Sequence, residues 1–340
     1  MEKVIRIGTR ESQLAVWQAA QVKELLAQYG YLSELVYIKS EGDIDLKTPL
    51  YEMGVQGVFT RSLDSALLND KIDIAVHSMK DVPTQLAKGI VQAAVLKRAS
   101  YKDVLVPHPD LHDVNKIFGM GMIEVEDILI TKEGPKTKEA ITTKKINTGK
   151  KVDAIIATSS IRRKSQWLKR FPHHTIEILR GNVNTRLRKL KESNWHGAIF
   201  AAAGLERINL LPENSIELDW MLPAPAQGAI MVVGREGDDF CLNACTHFND
   251  ADTALCTKIE RDFLRTLLGG CSTPISALAE VVNNEIVFKG NILSLDGKDK
   301  LEIGLTCSSY QAGELGVKAA NELLNNGGRE IADSIRNAAK

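Results

Sequence analysis

The chain has 340 residues, of which 44% are hydrophobic and 25% charged, so it can bury the cores of two or three domains. Its 43 basic and 43 acidic residues leave a formal net charge of zero, which argues against a protein devoted to nucleic acid. No apolar run is long enough to cross a bilayer, so we expect no membrane partner.

The five cysteines are odd in number, lie late in the chain and form no CxxC pair. They are Cys241, Cys245, Cys256, Cys271 and Cys307. No histidine joins them at a spacing typical of zinc ligands, so the sequence predicts no metal site. A strand begins close to residue 1, which leaves no visible signal peptide, and we therefore expect a reduced, cytoplasmic protein.

The first forty residues predict a β-α-β unit with a polar turn before its helix. Apolar residues recur at helical spacing between residues 12 and 30, flanked by predicted strands at 4–8 and 35–38. Arg10 and Ser12 lie in the turn, where the positive end of the helix dipole suits an anion. A simple cap and a surface charge are the structural alternative, which is the better interpretation of Ser12 taken alone.

Residues 72–83, IDIAVHSMKDVP, contain a short strand that runs directly into polar residues. Ser78, Lys80 and Asp81 follow the strand, and Pro83 stiffens the loop that carries them. Open α/β sheets bind ligands at the carboxyl ends of their strands, so Asp81 is a candidate catalytic carboxylate. A strand end with ordinary turn-forming residues explains this stretch about equally well.

Hydroxyl residues and arginines occur together at two predicted strand-to-helix turns in the middle of the chain. These residues are Thr158, Ser159, Ser160, Arg162, Arg163, Arg180 and Arg186. Cations at a helix N-terminus oppose the helix dipole, so we expect an anion to compensate them. Guanidinium groups pair with carboxylate or phosphate, which predicts a pocket for a polyanion. A solvated basic face and a nucleic-acid groove are the alternatives, and few aromatic residues are available for base stacking.

The order of the predicted elements indicates an α/β protein with two α/β lobes and a small α+β C-terminal domain. We place domain 1 at residues 1–101 and 229–246, domain 2 at 102–228, and domain 3 at 249–340. A lysine-rich stretch at about 108–150 interrupts domain 2 and is interpreted as a surface insertion. The linker PAPAQG, which contains Gln227, precedes the return of the chain to the first lobe.

Cys271 follows Gly269 and Gly270 at the end of a helix predicted for residues 251–268. A helix C-terminus does not lower the pKa of a thiol, and no histidine lies nearby in sequence, which disfavours a hydrolytic nucleophile. The two glycines leave space around the sulfur, which favours a stable thioether to a bulky group. An inert loop cysteine is the alternative.

Seven segments resemble the porphobilinogen deaminase (hydroxymethylbilane synthase) family and occur in the order of that family. They are RIGTRESQLAVWQA, DIAVHSMKDVP, ATSSIRRKSQ, LRGNVNTRL, AAAGLERI, PAQGA and GGCSTPISALAE. The resemblance implies two lobes like those of a type II periplasmic binding protein, and a third domain with a cofactor loop. It also implies a monomeric transferase of tetrapyrrole biosynthesis, which joins four porphobilinogen molecules head to tail with loss of ammonia and hydrolyses off hydroxymethylbilane.

The resemblance further implies roles for individual residues. A dipyrromethane cofactor is expected as a thioether on Cys271, and Asp81 is expected to assist proton transfers and stabilise pyrrolic cations. Cofactor and substrate side chains are expected at Arg10, Ser12, Ser78, Lys80, Thr158, Ser159, Ser160, Arg162, Arg163, Arg180, Arg186 and Gln227. Glu52 and Gln56 stand where the family often has lysine, so no binding role is carried to them. The rival hypothesis is a non-catalytic, two-lobed protein that captures a polyanion.

Overall fold

The computed structural model describes residues 3–39, 60–113, 115–118, 153–267 and 273–338. Its strands are β1 (Ile5–Thr9), β2 (Ser33–Tyr37), β3 (Ile74–Ser78), β4 (Ile90–Val95), β5 (Asp103–Pro107), β6 (Ile155–Ala157), β7 (Thr175–Glu177), β8 (Gly197–Ala201), β9 (Ile216–Glu217), β10 (Ile230–Arg235), β11 (Ile275–Val282), β12 (Glu285–Leu293) and β13 (Lys300–Ser308). Its α-helices are α1 (Gln13–Gln28), α2 (Arg61–Leu68), α3 (Asn115–Phe118), α4 (Ile161–Arg170), α5 (Val183–Lys191), α6 (Ala202–Glu206), α7 (Asp239–Thr246), α8 (Ala251–Leu267), α9 (Leu315–Leu323) and α10 (Arg329–Ala338).

The first sheet has the strand order β2-β1-β3-β10-β4. β1 lies parallel to β2 and β3, whereas β10 runs antiparallel to β3 and β4. Ile74, Ala75 and Val76 of β3 are all buried, because core side chains pack on both faces of the sheet. The 3₁₀ turn Met79–Asp81 follows β3 directly and carries its polar residues beyond the sheet.

The second sheet repeats this arrangement with the order β7-β6-β8-β5-β9. β6 lies parallel to β7 and β8, and β5 runs antiparallel to β8 and β9. In the strand order of both sheets, three parallel strands come first. A fourth strand then runs antiparallel to the third, and a fifth strand pairs antiparallel with the fourth. The turns after the parallel strands of each lobe are therefore equivalent places for a ligand.

The C-terminal part of the chain forms the antiparallel sheet β11-β12-β13 with helices packed on it. Phe263 of α8 and Phe288 of β12 meet edge to face in this core, with ring centroids 5.2 Å apart. A Cβ at Gly316 of α9 would lie 2.1 Å from the Ile259 carbonyl oxygen, so only glycine allows α8 and α9 to pack this closely. The predicted fold class, two sheet-bearing lobes and a small α+β domain, is confirmed.

Two chain segments that link the lobes meet at Gly228. Its φ is +86°, and a Cβ there would lie 2.7 Å from the carbonyl oxygens of both Ala99 and Ser100. A non-glycine residue would therefore force the linkers apart as well as strain the backbone.

The start of the predicted surface insertion belongs to the core of the second lobe instead. Ile117 is fully buried, and the ring centroid of Phe118 lies 5.8 Å from that of Phe171 and 6.1 Å from that of Trp167. This burial corrects the sequence interpretation for residues 115–118, because their apolar side chains fill space beside α4. The predicted hairpin and lysine-rich tail lie outside the described residues. Within the described ranges, no helix has the length and apolar character required to cross a bilayer.

Candidate active site

A cavity of about 230 Å³ lies between the two lobes, at the carboxyl ends of β1, β3 and β8. Its wall includes the apolar side chains Leu14, Phe200 and Ile208. The predicted site residues that line it are Arg10, Ser12, Ser78, Lys80, Asp81, Arg163, Arg180 and Arg186. The tertiary structure thus brings together residues from four separate sequence segments, while their binding roles remain predictions.

Helices α1 and α5 direct their N-termini to this cavity from opposite lobes. The Ser12 side chain caps α1 by accepting a hydrogen bond from the Ala15 N–H at 3.4 Å. Asn182 caps α5 in the same way, accepting from the Thr185 N–H at 2.9 Å. Neither helix has an acidic residue in its first turn, so both positive ends remain available to an anion.

The two lobes also touch beside these helix starts. Asn184 Nδ2 donates a hydrogen bond to Gln13 Oε1 at 2.9 Å, and both residues line the cavity. The bond joins the first turn of α1 to the first turn of α5. Because it is exposed to solvent, it contributes little to holding the lobes together.

Among the described residues that line the cavity, five cations accompany one carboxylate, that of Asp81. The Asp81 side chain is exposed to the cavity and makes no hydrogen bond within the described ranges. Its charge attracts Lys80 and Arg186. The site therefore has a strong excess of positive charge around one accessible carboxylate.

Burial makes two of these cations hard to keep charged. Lys80 Nζ donates to Gln227 Oε1 at 3.2 Å, and burial together with repulsion from Arg163 lowers the pKa of Lys80 to about 8. Burial and the same repulsion lower the pKa of Arg186 to about 10. A bound anion would relieve this repulsion, so the electrostatics favour an anionic ligand.

Asp103, the first residue of β5, is the internal counterion of the cleft. Arg162 Nη1 donates to Asp103 Oδ2 at 2.7 Å, while Arg163 Nε and Nη2 donate to Oδ1 at 3.0 and 2.8 Å. Burial acts to raise the pKa of Asp103, but the charges of Arg162 and Arg163 hold it well below its ordinary value. The protein itself therefore supplies an anion for two arginines whose position at a helix start had predicted an external one.

Gln227 connects this ion-pair cluster to Lys80. Its Nε2 donates to Asp103 Oδ1 at 3.0 Å and to the Tyr101 carbonyl at 2.8 Å, and its Oε1 accepts from Lys80. Gln227 is fully buried, so this contact is internal to the protein. The structure gives this predicted binding residue a supporting position beneath Lys80.

Five predicted binding residues are not among the described residues that line the cavity. They are Thr158, Ser159, Ser160, Arg162 and Gln227. Ser160 caps α4, accepting from the Arg163 N–H at 3.4 Å. Ser159 Oγ and Arg162 Nε are buried polar atoms without a hydrogen-bond partner in the part of the chain that the structure describes. Unsatisfied buried donors of this kind carry a free-energy cost in the folded protein.

Two further polar residues lie beside the site: Gln18, which the sequence analysis missed, and His77, which belongs to the polar residues at the end of the predicted strand. Gln18, on the inner face of α1, is 2% exposed, and its Nε2 lies 2.9 Å from Ser78 Oγ. His77 is also buried, and burial lowers its pKa to about 4, so it is neutral at physiological pH. The signal that could have found Asp103 and Gln18 is a polar residue at a position where the strand or helix pattern demands an apolar one.

The predicted attachment site Cys271 lies outside the described residues, as do Glu52 and Gln56. Cys241, Cys245 and Cys256 are buried, and burial raises the pKa of each thiol to about 12. These three thiols are therefore protonated at physiological pH and shielded from a bulky adduct.

Comparison with known proteins identifies the family. The model described as "Porphobilinogen deaminase, dipyromethane cofactor binding domain" matches residues 5–243, and "Porphobilinogen deaminase, C-terminal domain" matches residues 254–325. A porphobilinogen deaminase of Trichlorobacter lovleyi is 36% identical over 98% of this chain and 97% of its own length. One of Syntrophomonas wolfei is 36% identical over 98% of this chain and 99% of its own. Among solved structures, the methionine binding protein MetQ aligns with 74% of this chain and 92% of its own, at 12% identity and a TM-score of 0.39. By its sequence relatives and both family models, the chain belongs to the porphobilinogen deaminase family.

Proposed function

We propose that this protein joins four porphobilinogen molecules head to tail on a dipyrromethane primer bound to Cys271, and releases hydroxymethylbilane by hydrolysis. The observation that carries the proposal is the exposed carboxylate of Asp81, which lies among five cations in the described lining of a cleft between two lobes. The family membership of the chain supplies the substrate class.

The charges of the cleft fit the proposed substrate and cofactor. Each pyrrole unit carries an acetate and a propionate, so the growing chain is a polycarboxylate. Arg10, Arg180 and Arg186 offer guanidinium groups from both lobes, and the N-termini of α1 and α5 add backbone N–H donors. These groups fit a dipyrromethane with its own acetates and propionates. When bound, that group supplies the pyrrole carbon from which the chain grows.

Asp81 carries the chemistry in this proposal. Its carboxylate opposes the positive charge that develops on a pyrrole as ammonia leaves, which lowers the barrier. The same carboxylate can hold or return the proton of a pyrrole nitrogen, as a general acid or base does. Leu14, Phe200 and Ile208 provide an apolar wall for the rings.

The domain boundaries stated above remain part of the proposal. Pairing of β10 with β3 and β4 supports the assignment of residues 229–246 to domain 1. The segments at 96–102 and 222–228 then act as the two linkers between lobes. A cytoplasmic location and a monomeric state are proposed from the family resemblance.

The test is the stoichiometry of the reaction. Purified protein incubated with porphobilinogen should release one ammonia for each substrate consumed and form one linear tetrapyrrole for every four substrates. Denatured protein should also give a colour with an aldehyde reagent for pyrroles. A non-catalytic polyanion-binding protein would release no ammonia and give no colour, and that result would refute the proposal.

A further inference from the structure

A residue from the C-terminal domain holds the turn that carries the catalytic carboxylate. Arg261 lies on α8, yet its guanidinium binds backbone carbonyls at the start of the turn Met79–Asp81 and directly after it. Nη1 donates to the carbonyl oxygens of Val82 at 2.9 Å and Met79 at 3.4 Å, and Nη2 donates to that of Pro83 at 2.6 Å. Only 9% of Arg261 is exposed, so these bonds are shielded from solvent.

The turn itself is short. It is one turn of 3₁₀ helix, in which the Val82 N–H donates to the Met79 carbonyl at 3.1 Å. A second bond, from the Met79 N–H to the Ala229 carbonyl at 3.0 Å, ties its start to the sheet. The donors of a guanidinium have a fixed planar geometry, so Arg261 also fixes the three carbonyls relative to one another.

Helix α8 is itself a rigid base. Glu260, next to Arg261, is fully buried and accepts hydrogen bonds from Arg98, from the Ala226 N–H at 2.6 Å and from the Ala279 N–H at 2.8 Å. These bonds tie α8 to both interlobe linkers and to β11. A support of this kind holds a functional group more precisely than a free loop can.

We propose that Arg261 is a positioning residue, which sets the place of the Asp81 carboxylate in the cleft by holding the backbone of its turn. The Asp81 side chain makes no hydrogen bond within the described ranges, so the backbone is what determines where its carboxylate lies. The inference rests on the proposed function, because it presumes that Asp81 takes part in catalysis.

The first test compares two variants with a matched control. Arg261→Met removes the guanidinium but keeps a long side chain. It should lower kcat about 100-fold, the effect of misplacing a catalytic group by about 1 Å, with KM changed by no more than about twofold. Arg261→Lys should recover part of the loss, because an ammonium can bind some of the carbonyls. Arg265→Met, one turn further along α8 and bonded to Asp262, should leave kcat unchanged.

The second test asks whether Arg261 acts through Asp81. In single-turnover measurements on the Asp81→Ala variant, adding Arg261→Met should lower the rate by less than about twofold, because no carboxylate remains to be misplaced. An undiminished effect in that background, or an unchanged kcat in the single variant, would overturn the inference. If Arg261→Met fails to fold, Arg261→Lys replaces it in the same comparison, with and without Asp81→Ala, and the same two results would overturn the inference. Wild-type protein that forms no tetrapyrrole would instead refute the proposed function.

Discussion

Replacement of Asp103 by asparagine removes the charge beneath the cleft but keeps the shape of the side chain. The wild-type carboxylate accepts three hydrogen bonds from Arg162 and Arg163, and one from Gln227. Arg162 is 4% exposed and Arg163 is 5% exposed. The variant therefore leaves two buried guanidinium groups without their countercharge.

Loss of one partner from a buried ion pair costs about 3–5 kcal/mol in the free energy of unfolding. With a urea m-value of about 3 kcal/mol/M, the unfolding midpoint should fall by about 1–2 M. Tryptophan fluorescence is a suitable probe, since Trp167 is fully buried in the same lobe. Asp219→Asn is the matched control, because its carboxylate is 72% exposed and pairs with Lys102 at the surface. That change should cost less than about 1 kcal/mol.

The dependence on pH has a definite sign. The pKa of Asp103 is held below its ordinary value of 3.8 in the folded protein, so its stabilising contribution is complete above that pH. The contribution is lost as the pH falls below 3.8 towards the folded-state pKa, because the unfolded chain then takes up a proton first. The difference in the free energy of unfolding between wild type and Asp103→Asn should therefore be constant near neutral pH and become smaller in acid. The reasoning would be refuted if the urea midpoint of Asp103→Asn lay within about 0.3 M of the wild-type midpoint. It would also be refuted if the difference in unfolding free energy grew in acid.

Three further predictions concern the chemistry of the cleft. Asp81→Ala should lower kcat by roughly two to four orders of magnitude while leaving the urea midpoint unchanged, because the side chain has no bond within the described ranges; near-normal tetrapyrrole formation would contradict its assignment. Binding of substrate should weaken as the pH rises through about 8, where Lys80 loses its proton, and Lys80→Arg should move that limb of the KM profile to higher pH. Intact-mass analysis should find purified protein heavier than its sequence by two porphobilinogen units less two ammonias, with the added mass on the Cys271 peptide and absent from Cys271→Ser; an adduct on another cysteine would contradict this.

Local pattern in the sequence was sufficient for the elements that carry the site. The helical spacing after Ser12 predicted α1, which is confirmed, and Ser12 caps this helix as its structural alternative stated. The alternation at residues 72–76 predicted the strand that places Ser78, Lys80 and Asp81 at the edge of the sheet. These predictions succeed because the hydrogen bonds of a helix and the alternation of a strand depend on residues a few positions apart.

The partners of those residues were decided only by the tertiary structure. Asp103 meets Arg162 and Arg163 from 59 and 60 positions away, and Arg261 reaches the turn after β3 across about 180 positions. No local spacing encodes such contacts, and the cost of burying a charge becomes visible only when the fold shows which opposite charge is buried with it. In the sequence, arginines at the start of a helix indicated that an anion lies nearby. Only the fold shows that, for Arg162 and Arg163, this anion includes the carboxylate of Asp103.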